Sequence, residues 1–251
     1  MDDIHANTRS RVVSIDGSAN DDCGTNAVGP CSTLDYVFRT LLPGDKILLS
    51  STGTAHTPFL HCSDRQYTLN DSVELIGIGK SKAVVGCTEL NGGIKTLITS
   101  RAILRLVAAR PGLEISLANI EFRQINLTVS GFSVNARNCS FVETNTLLES
   151  TSVSGGVDVA LTTSAWRGHT HCHQDVCFPS NELHVSGDLG AVHLAANKFQ
   201  QTAVEVLLTA ESRVVFERNR MVGLDGQRPV LSGLVVLMAP HVTKATVITA
   251  T

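Results

Sequence analysis

Aromatic residues are scarce: 4% of 251 positions, with one Trp, two Tyr and eight Phe. The core must therefore be filled by aliphatic side chains, and Val, Leu and Ile are abundant. That mix suits stacked strands buried on their inner face. No run of about 18 continuous apolar residues exists, so no membrane span is expected. The closest is Val230 to Ala239, which is strand length. No basic run tracks a phosphate backbone, and the net charge is -3, which argues against nucleic-acid binding. Met1 to Ser10 is polar and charged, reads as disordered, and lacks the apolar centre of a secretory signal. Taken literally, that points to an intracellular protein; the cysteines and sequons below point outward. No long Pro- or Ser-rich linker interrupts the chain, so residues 11–251 are expected to form one domain. Apolar content of 43% against 17% charged residues supplies ample core material and excludes general disorder.

What the sequence does have is a repeat. Pairs of alternating apolar stretches recur about every twenty to twenty-five residues, the second carrying Asn followed by Phe or Met. Leu113-Glu114-Ile115 precedes Asn119-Ile120-Glu121-Phe122, and Phe132-Ser133-Val134 precedes Asn138-Cys139-Ser140-Phe141. Leu183-His184-Val185 goes with Asn197-Lys198-Phe199, and Val204-Glu205-Val206 with Asn219-Arg220-Met221. A strand period inside a longer repeat is the signature of a solenoid of strands. Stacking such coils at about 4.8 Å makes inward ladders. Leu113, Phe132, Val157, Leu183 and Val204 would line one sheet, and Phe122, Phe141, Trp166, Phe199 and Met221 another. Asn119 and Asn138 align at a turn where Asn tolerates a left-handed backbone. Asn197 and Asn219 align with each other one residue later. All four read as structural.

Seven cysteines include six in candidate pairs. Cys23 and Cys31 bracket a Gly/Pro/Asn loop. Cys62 and Cys87 end strand-like runs about one repeat apart. Cys172 and Cys177 close a His-rich loop. Cys139 shares the inward face with Phe141 and reads as a buried free thiol. Disulfides place the chain in an oxidising compartment; reduced structural thiols are the alternative. Sequons occur at Asn70, Asn126 and Asn138. Asn70 and Asn126 are the glycosylation candidates, because Asn138 sits in a rung and is a poor acceptor if buried.

Arg11 to Ile15 reads as a first strand with Val12-Val13 as its core. Ser32 to Leu42 reads as a helix, capped by Ser32 or Thr33, with Leu34, Val37, Phe38, Leu41 and Leu42 on one face and Pro43-Gly44-Asp45 as its stop. Placed there, it would cover the open edge of a strand solenoid. Asp22-Cys23-Gly24, Pro30-Cys31-Ser32-Thr33-Leu34, Pro43 to Leu49 and Leu75-Ile76-Gly77-Ile78-Gly79, in this order, resemble the opening of right-handed parallel β-helix proteins of the pectin-lyase-like superfamily. The similarity is to its non-enzymatic cell-surface branch, which includes polymorphic outer-membrane proteins and adhesin-like repeats. The later Asn-x-x-Phe rungs extend it over most of the chain. The resemblance implies an all-β, single-stranded right-handed parallel β-helix with a short N-terminal capping helix. It does not imply one activity, because this fold hosts lyases, hydrolases, esterases and binding proteins.

Two constellations are candidates for chemistry. Asp158, His184 and Glu205 occupy outward positions between inward pairs. Stacked on one face they would place carboxylates around a His, suited to acid/base work or to holding a cation; the alternative is a solvated face. His169, His171 and His173 point one way in an extended segment beside Cys172 and Cys177, a set of Zn²⁺ or Cu²⁺ ligands. The alternative there is a disulfide closing an exposed loop. The lyases of the superfamily use clustered Asp with a nearby Arg or Lys base. Here Asp is sparse in the rungs, and Arg101, Arg105, Arg110 and Arg123 have no Asp cluster beside them. No Gly-x-Ser-x-Gly elbow occurs. The sequence thus points to a recognition or adhesion module, extracellular or at the cell surface. Its expected ligand is a glycan or a protein on a sheet face, with no cofactor implied, and it is expected to be part of a longer solenoid. A polysaccharide lyase or glycoside hydrolase is the alternative.

Overall fold

A computed structural model describes residues 10–18, 23, 29–50, 60–61, 64–91, 94–97, 102–151, 156–168, 170–173, 176–222, 234–240 and 245–250. The chain winds through three parallel sheets as a right-handed parallel β-helix. The first sheet has nine strands: Ser10–Ser18, Lys46–Ser50, Val73–Ile78, Glu114–Ala118, Ser133–Arg137, Val157–Thr162, Leu189–Ala195, Ser212–Glu217 and Ala245–Ala250. The second sheet runs from Leu60–His61 and the nine-residue strand Ala83–Asn91, to which Ile94–Leu97 adds antiparallel, through the short strands Ile120–Arg123, Ser140–Val142, Ala165–Arg167 and Lys198–Gln200 to Arg220–Val222. The third runs from Arg65–Leu69 and Ala102–Ala108 through Ile125–Ser130, Asn145–Glu149, Asn181–Gly187 and Thr202–Leu208 to Leu234–Met238. One coil takes one strand from each sheet. Inward side chains alternate with outward ones because successive residues of a strand face opposite ways.

The turns between sheets are often a single residue in the left-handed region. Asn119, Asn138, Thr163, Ala196 and Arg218 (φ 49° to 57°) lead from the first sheet to the second, and Gln124, Glu143 and Gln201 (φ 51° to 54°) from the second to the third. Asn is the side chain that best tolerates this backbone and bonds locally. Asn138 Nδ2 donates to Asn119 Oδ1 at 3.2 Å, and Asn119 Nδ2 donates to the Gly77 carbonyl at 2.9 Å. Gly77 is required at that approach, since a Cβ there would stand 2.0 Å from the Asn119 carbonyl oxygen.

The residue after each turn stands at the start of the next strand or one position before it, and Ile120, Cys139, Ser164 and Asn197 are buried there. In the later coils that position is polar and self-satisfied. Asn197 Oδ1 accepts from the Ser164 amide, and Ser164 Oγ accepts from the Cys139 amide. Asn197 and Asn219 therefore do not occupy the turn itself, which falls on Ala196 and Arg218. Further along the second sheet the rings stack in register. Phe122 and Phe141 are 5.3 Å apart, Phe141 and Trp166 4.5 Å, and Trp166 and Phe199 4.8 Å between centroids. Met221 continues the column in register with Phe199, but it is exposed rather than enclosed as the inward ladder predicts. Phe199 also stacks on Phe216 at 6.2 Å, so Phe141, Trp166 and Phe199 each have two ring neighbours and Phe122 has one, and each pair adds about 0.5–1.5 kcal/mol beyond area burial.

The helix spans Leu34–Arg39, shorter than the sequence suggests. Thr33 stands at its N-cap with an extended backbone and no side-chain cap bond. At the other end the Thr40 amide bonds to the Val37 carbonyl and closes the last turn. Leu34, Val37 and Phe38 are buried and Leu41 partly so, whereas Leu42 lies beyond the helix and is exposed. The helix contacts Ser10–Ser18, Leu60–His61 and Arg65–Leu69, the terminal strands of all three sheets, and so covers the N-terminal end of the solenoid. Phe38 packs against Tyr67 with the two rings tilted, and the Tyr67 hydroxyl donates to Asp35; burial, then this bond, push the Tyr67 phenol well above its ordinary pKa.

The first strand is longer than expected and starts at Ser10, the last residue of the segment read as disordered; residues 1–9 lie outside the described ones. Its inward residue is Val13, while Val12 is half-buried and in register with Leu48. Arg11 is buried. It donates from Nε to Asp45 Oδ2 at 3.1 Å and from Nη1 and Nη2 to the Cys23 and Thr40 carbonyls. A disulfide joins Cys23 to Cys31, and Val13 bridges to Cys31.

Candidate functional site

The first sequence candidate divides between two sheets. His184 and Glu205 are aligned on adjacent strands of the third sheet, with His184 Nδ1 3.1 Å from Glu205 Oε2 and both side chains partly exposed. Asp158 lies on the first sheet, so the expected shared face is corrected. Leu183 and Val204 likewise belong to the third sheet, whereas Leu113, Phe132 and Val157 enter the first. The cause is the hairpin Thr170–His173 with Val176–Pro179, inserted between Gly168 of one coil and the next third-sheet strand. It displaces the coil count by one sheet.

Asp158 has a specific structural partner. The strand Leu189–Ala195 carries one extra residue opposite Val157–Val159, a β-bulge. Asp158 Oδ1 accepts the Ala191 amide at 2.8 Å, taking up a donor that the bulge turns out of the ladder. Gly190 keeps the space clear, since a Cβ there would lie 2.6 Å from Asp158 Oδ1.

A second His–carboxylate contact escaped sequence reading. His193 Nε2 is 3.2 Å from Glu217 Oε1, one coil apart on the first sheet, and Arg218 Nη2 reaches the same oxygen at 3.3 Å. The hydrogen bond from His193, then that from Arg218, hold the Glu217 carboxyl below its ordinary pKa. The signal for it lay in the turn. Ile115 and Val134 each precede a left-handed residue by four positions, as Val192 precedes Ala196 and Val214 precedes Arg218. Counting back from the turn assigns Leu189–Ala195, not Leu183-His184-Val185, to the first sheet.

In the hairpin the backbone register places Cys172 directly opposite Cys177, His171 opposite Phe178 and His173 opposite Val176. His169 lies outside the described residues, as does Cys62. The strand containing Cys87 pairs with Leu60–His61, with Leu60 in register with Cys87. Among the described residues no three His, Cys, Asp or Glu side chains gather as a metal site. Asn70 is exposed at the end of a third-sheet strand. Asn126 is half-buried in the third sheet beside Asn145, with its Oδ1 enclosed. Asn138 is exposed, so burial does not count against it as an acceptor, and its amide belongs to the turn ladder.

The Cys139 thiol is buried, donates weakly toward the Leu117 and Arg137 carbonyls, and is pushed up to about 11, chiefly by burial. Burial lowers the Lys82 amine. On the first sheet a shallow polar groove of about 310 Å³ runs past Lys46, Glu74, Glu114 and Ser116, with Lys46 and Glu74 paired at 2.8 Å.

No family model matches the chain, and no curated protein matches it. A solved structure of a rhamnogalacturonan lyase is similar over 93% of this chain at 11% identity, with a TM-score of 0.35. The chain spans 64% of the length of that structure.

Proposed function

We propose that this chain is a non-catalytic recognition or adhesion module of the extracellular space or cell surface, of the kind its sequence resembles in the adhesin-like branch of the pectin-lyase-like superfamily. It would present rigid sheet faces to a glycan or a protein, with further coils extending the solenoid. The observation that carries this reading is the engagement of Asp158. The rung carboxylate expected to work beside His184 and Glu205 lies on the first sheet, where the bulge amide of the adjacent strand holds it at 2.8 Å. The Cys23–Cys31 disulfide supports an oxidising compartment. The test is a set of single variants, Asp158→Asn, His184→Ala and Glu205→Ala, assayed for binding to the glycans that the native protein retains. The reading expects each to bind as the native protein does.

A second reading, a polysaccharide lyase or glycoside hydrolase, is favoured by the partly exposed His184–Glu205 contact at 3.1 Å, a geometry suited to passing a proton. Glycan turnover by the native protein that vanishes in Glu205→Ala would establish it and displace the first.

A further inference from the structure

We infer that the outward face of the second sheet binds a linear anionic glycan, laid along the solenoid axis across Arg167, Lys198 and Arg220. This rests on the recognition reading above and names its ligand class and its face.

The strands from Ile120–Arg123 to Arg220–Val222 have outward positions carrying four cations, Arg123, Arg167, Lys198 and Arg220, and one acid, Glu121. Arg123 donates to Glu121, which spends that pair on itself. Arg167, Lys198 and Arg220 are exposed, and none has an ion pair with a described residue. They stand on three successive coils, so one cation is offered at each step of about 4.8 Å along the axis. Over the same part of the solenoid the third sheet turns outward Glu149, Glu182 and Glu205 and no Lys or Arg. The charge is therefore segregated by sheet in a chain whose net charge is -3.

Arg167 lies in register with Gln200, whose amide can both donate to and accept from sugar hydroxyls. A guanidinium fork matches a carboxylate or sulfate edge with two parallel bonds. The strands here are three residues long, so the basic strip is two outward positions wide. A narrow strip suits a chain laid along it better than a bilayer surface. None of these outward positions is aromatic, so the stacking platforms of single-strand nucleic-acid binders are missing from it.

The test compares the native protein with Arg167→Ser/Lys198→Ser/Arg220→Ser and with a control of equal charge change on other exposed positions, Lys80→Ser/Arg105→Ser/Arg213→Ser. The probes for calorimetry are a sulfated heparin octasaccharide, an oligogalacturonate of the same length, a neutral malto-oligosaccharide, and vesicles of phosphatidylcholine with phosphatidylserine. The native protein is expected to bind at least one anionic oligosaccharide, more weakly as salt rises, and not the neutral one. The strip variant should lose more than about tenfold in affinity while the control stays near native. Arg167→Lys/Arg220→Lys, which keeps the charge and loses the fork, should fall between them. Which oligosaccharide binds separates a sulfate from a uronate ligand. No binding to either, equal losses in strip and control variants, or binding to the anionic vesicles alone would overturn the inference. A different glycan retained equally by native protein and strip variant would leave the recognition reading standing and remove this face from it.

Discussion

The side-chain amide of Asn197 bridges to Ser164 on the neighbouring coil: its Oδ1 accepts the Ser164 amide at 2.9 Å, and its Nδ2 donates to the Leu161 carbonyl at 2.8 Å. Both contacts lie inside the solenoid, where Asn197 is buried. A buried backbone group deprived of its partner costs about 1–3 kcal/mol. Asn197→Leu is expected to destabilise the protein by about 2–4 kcal/mol, since it strands an amide and a carbonyl of the neighbouring coil, on either side of its Thr163 turn. Equilibrium denaturation reads this directly. A variant as stable as the native protein would mean that the ladder contributes nothing.

Trp166 offers a test in two directions. Its ring lies between Phe141 and Phe199 and is fully buried, yet its Nε1 has no hydrogen-bond partner among the described residues. Trp166→Ala should cost about 3–5 kcal/mol. Trp166→Phe shrinks the ring but removes the stranded donor, so its net cost should stay within about 1 kcal/mol. As the sole Trp, residue 166 should also emit at a blue-shifted wavelength in the native state and at that of solvated indole on unfolding.

Asp158 and Gly190 should couple. An Ala side chain at 190 would push the Asp158 carboxylate off the Ala191 amide, so Gly190→Ala and Asp158→Ala remove the same bond. Each single variant is expected to lose about 1 kcal/mol, with the double variant costing clearly less than their sum. Asp158→Asn keeps an acceptor and should be close to native. Strict additivity in the double-mutant cycle would contradict the bulge assignment.

The pH response divides at its two ends. Glu217 titrates below its ordinary value because His193 and then Arg218 bond its carboxylate. Such a group stabilises the fold above the unfolded carboxylate's pKa, and the contribution disappears as pH falls below about 4.5 and through the folded value. In His193→Ala the Glu217 carboxyl carbon should titrate higher by NMR; an unmoved titration would discount the contact. Cys139 behaves oppositely. Its folded value is raised to about 11 from 9.0, so its contribution is complete below 9.0 and is lost as pH rises through about 11. Iodoacetamide at pH 8 should leave Cys139 unmodified in native protein and label it after unfolding, as peptide mapping would show.

Much of the solenoid was legible in the chain because its repeat marks both the inward period and the turn. The column Phe122, Phe141, Trp166, Phe199 and Met221 stands in the register that the spacing implies. The left-handed Asn119 and Asn138 occur where Asn is best tolerated. Sheet identity after residue 168 was not legible. A hairpin excursion adds residues without adding a coil, and alternating apolar patterns look alike on any sheet. The grouping of Asp158 with His184 and Glu205 failed for that reason, and His193 with Glu217 went unseen. The burial of Arg11 was equally hidden, because its acceptors Asp45, Cys23 and Thr40 come from segments 12 to 34 residues away.

The most direct measurement is the fate of a glycan held by the purified protein. A glycan array finds the sugars that bind, and mass spectrometry then follows each of them through prolonged incubation. The account predicts at least one sugar retained and recovered intact. A bound sugar recovered in fragments would contradict it and make the chain an enzyme.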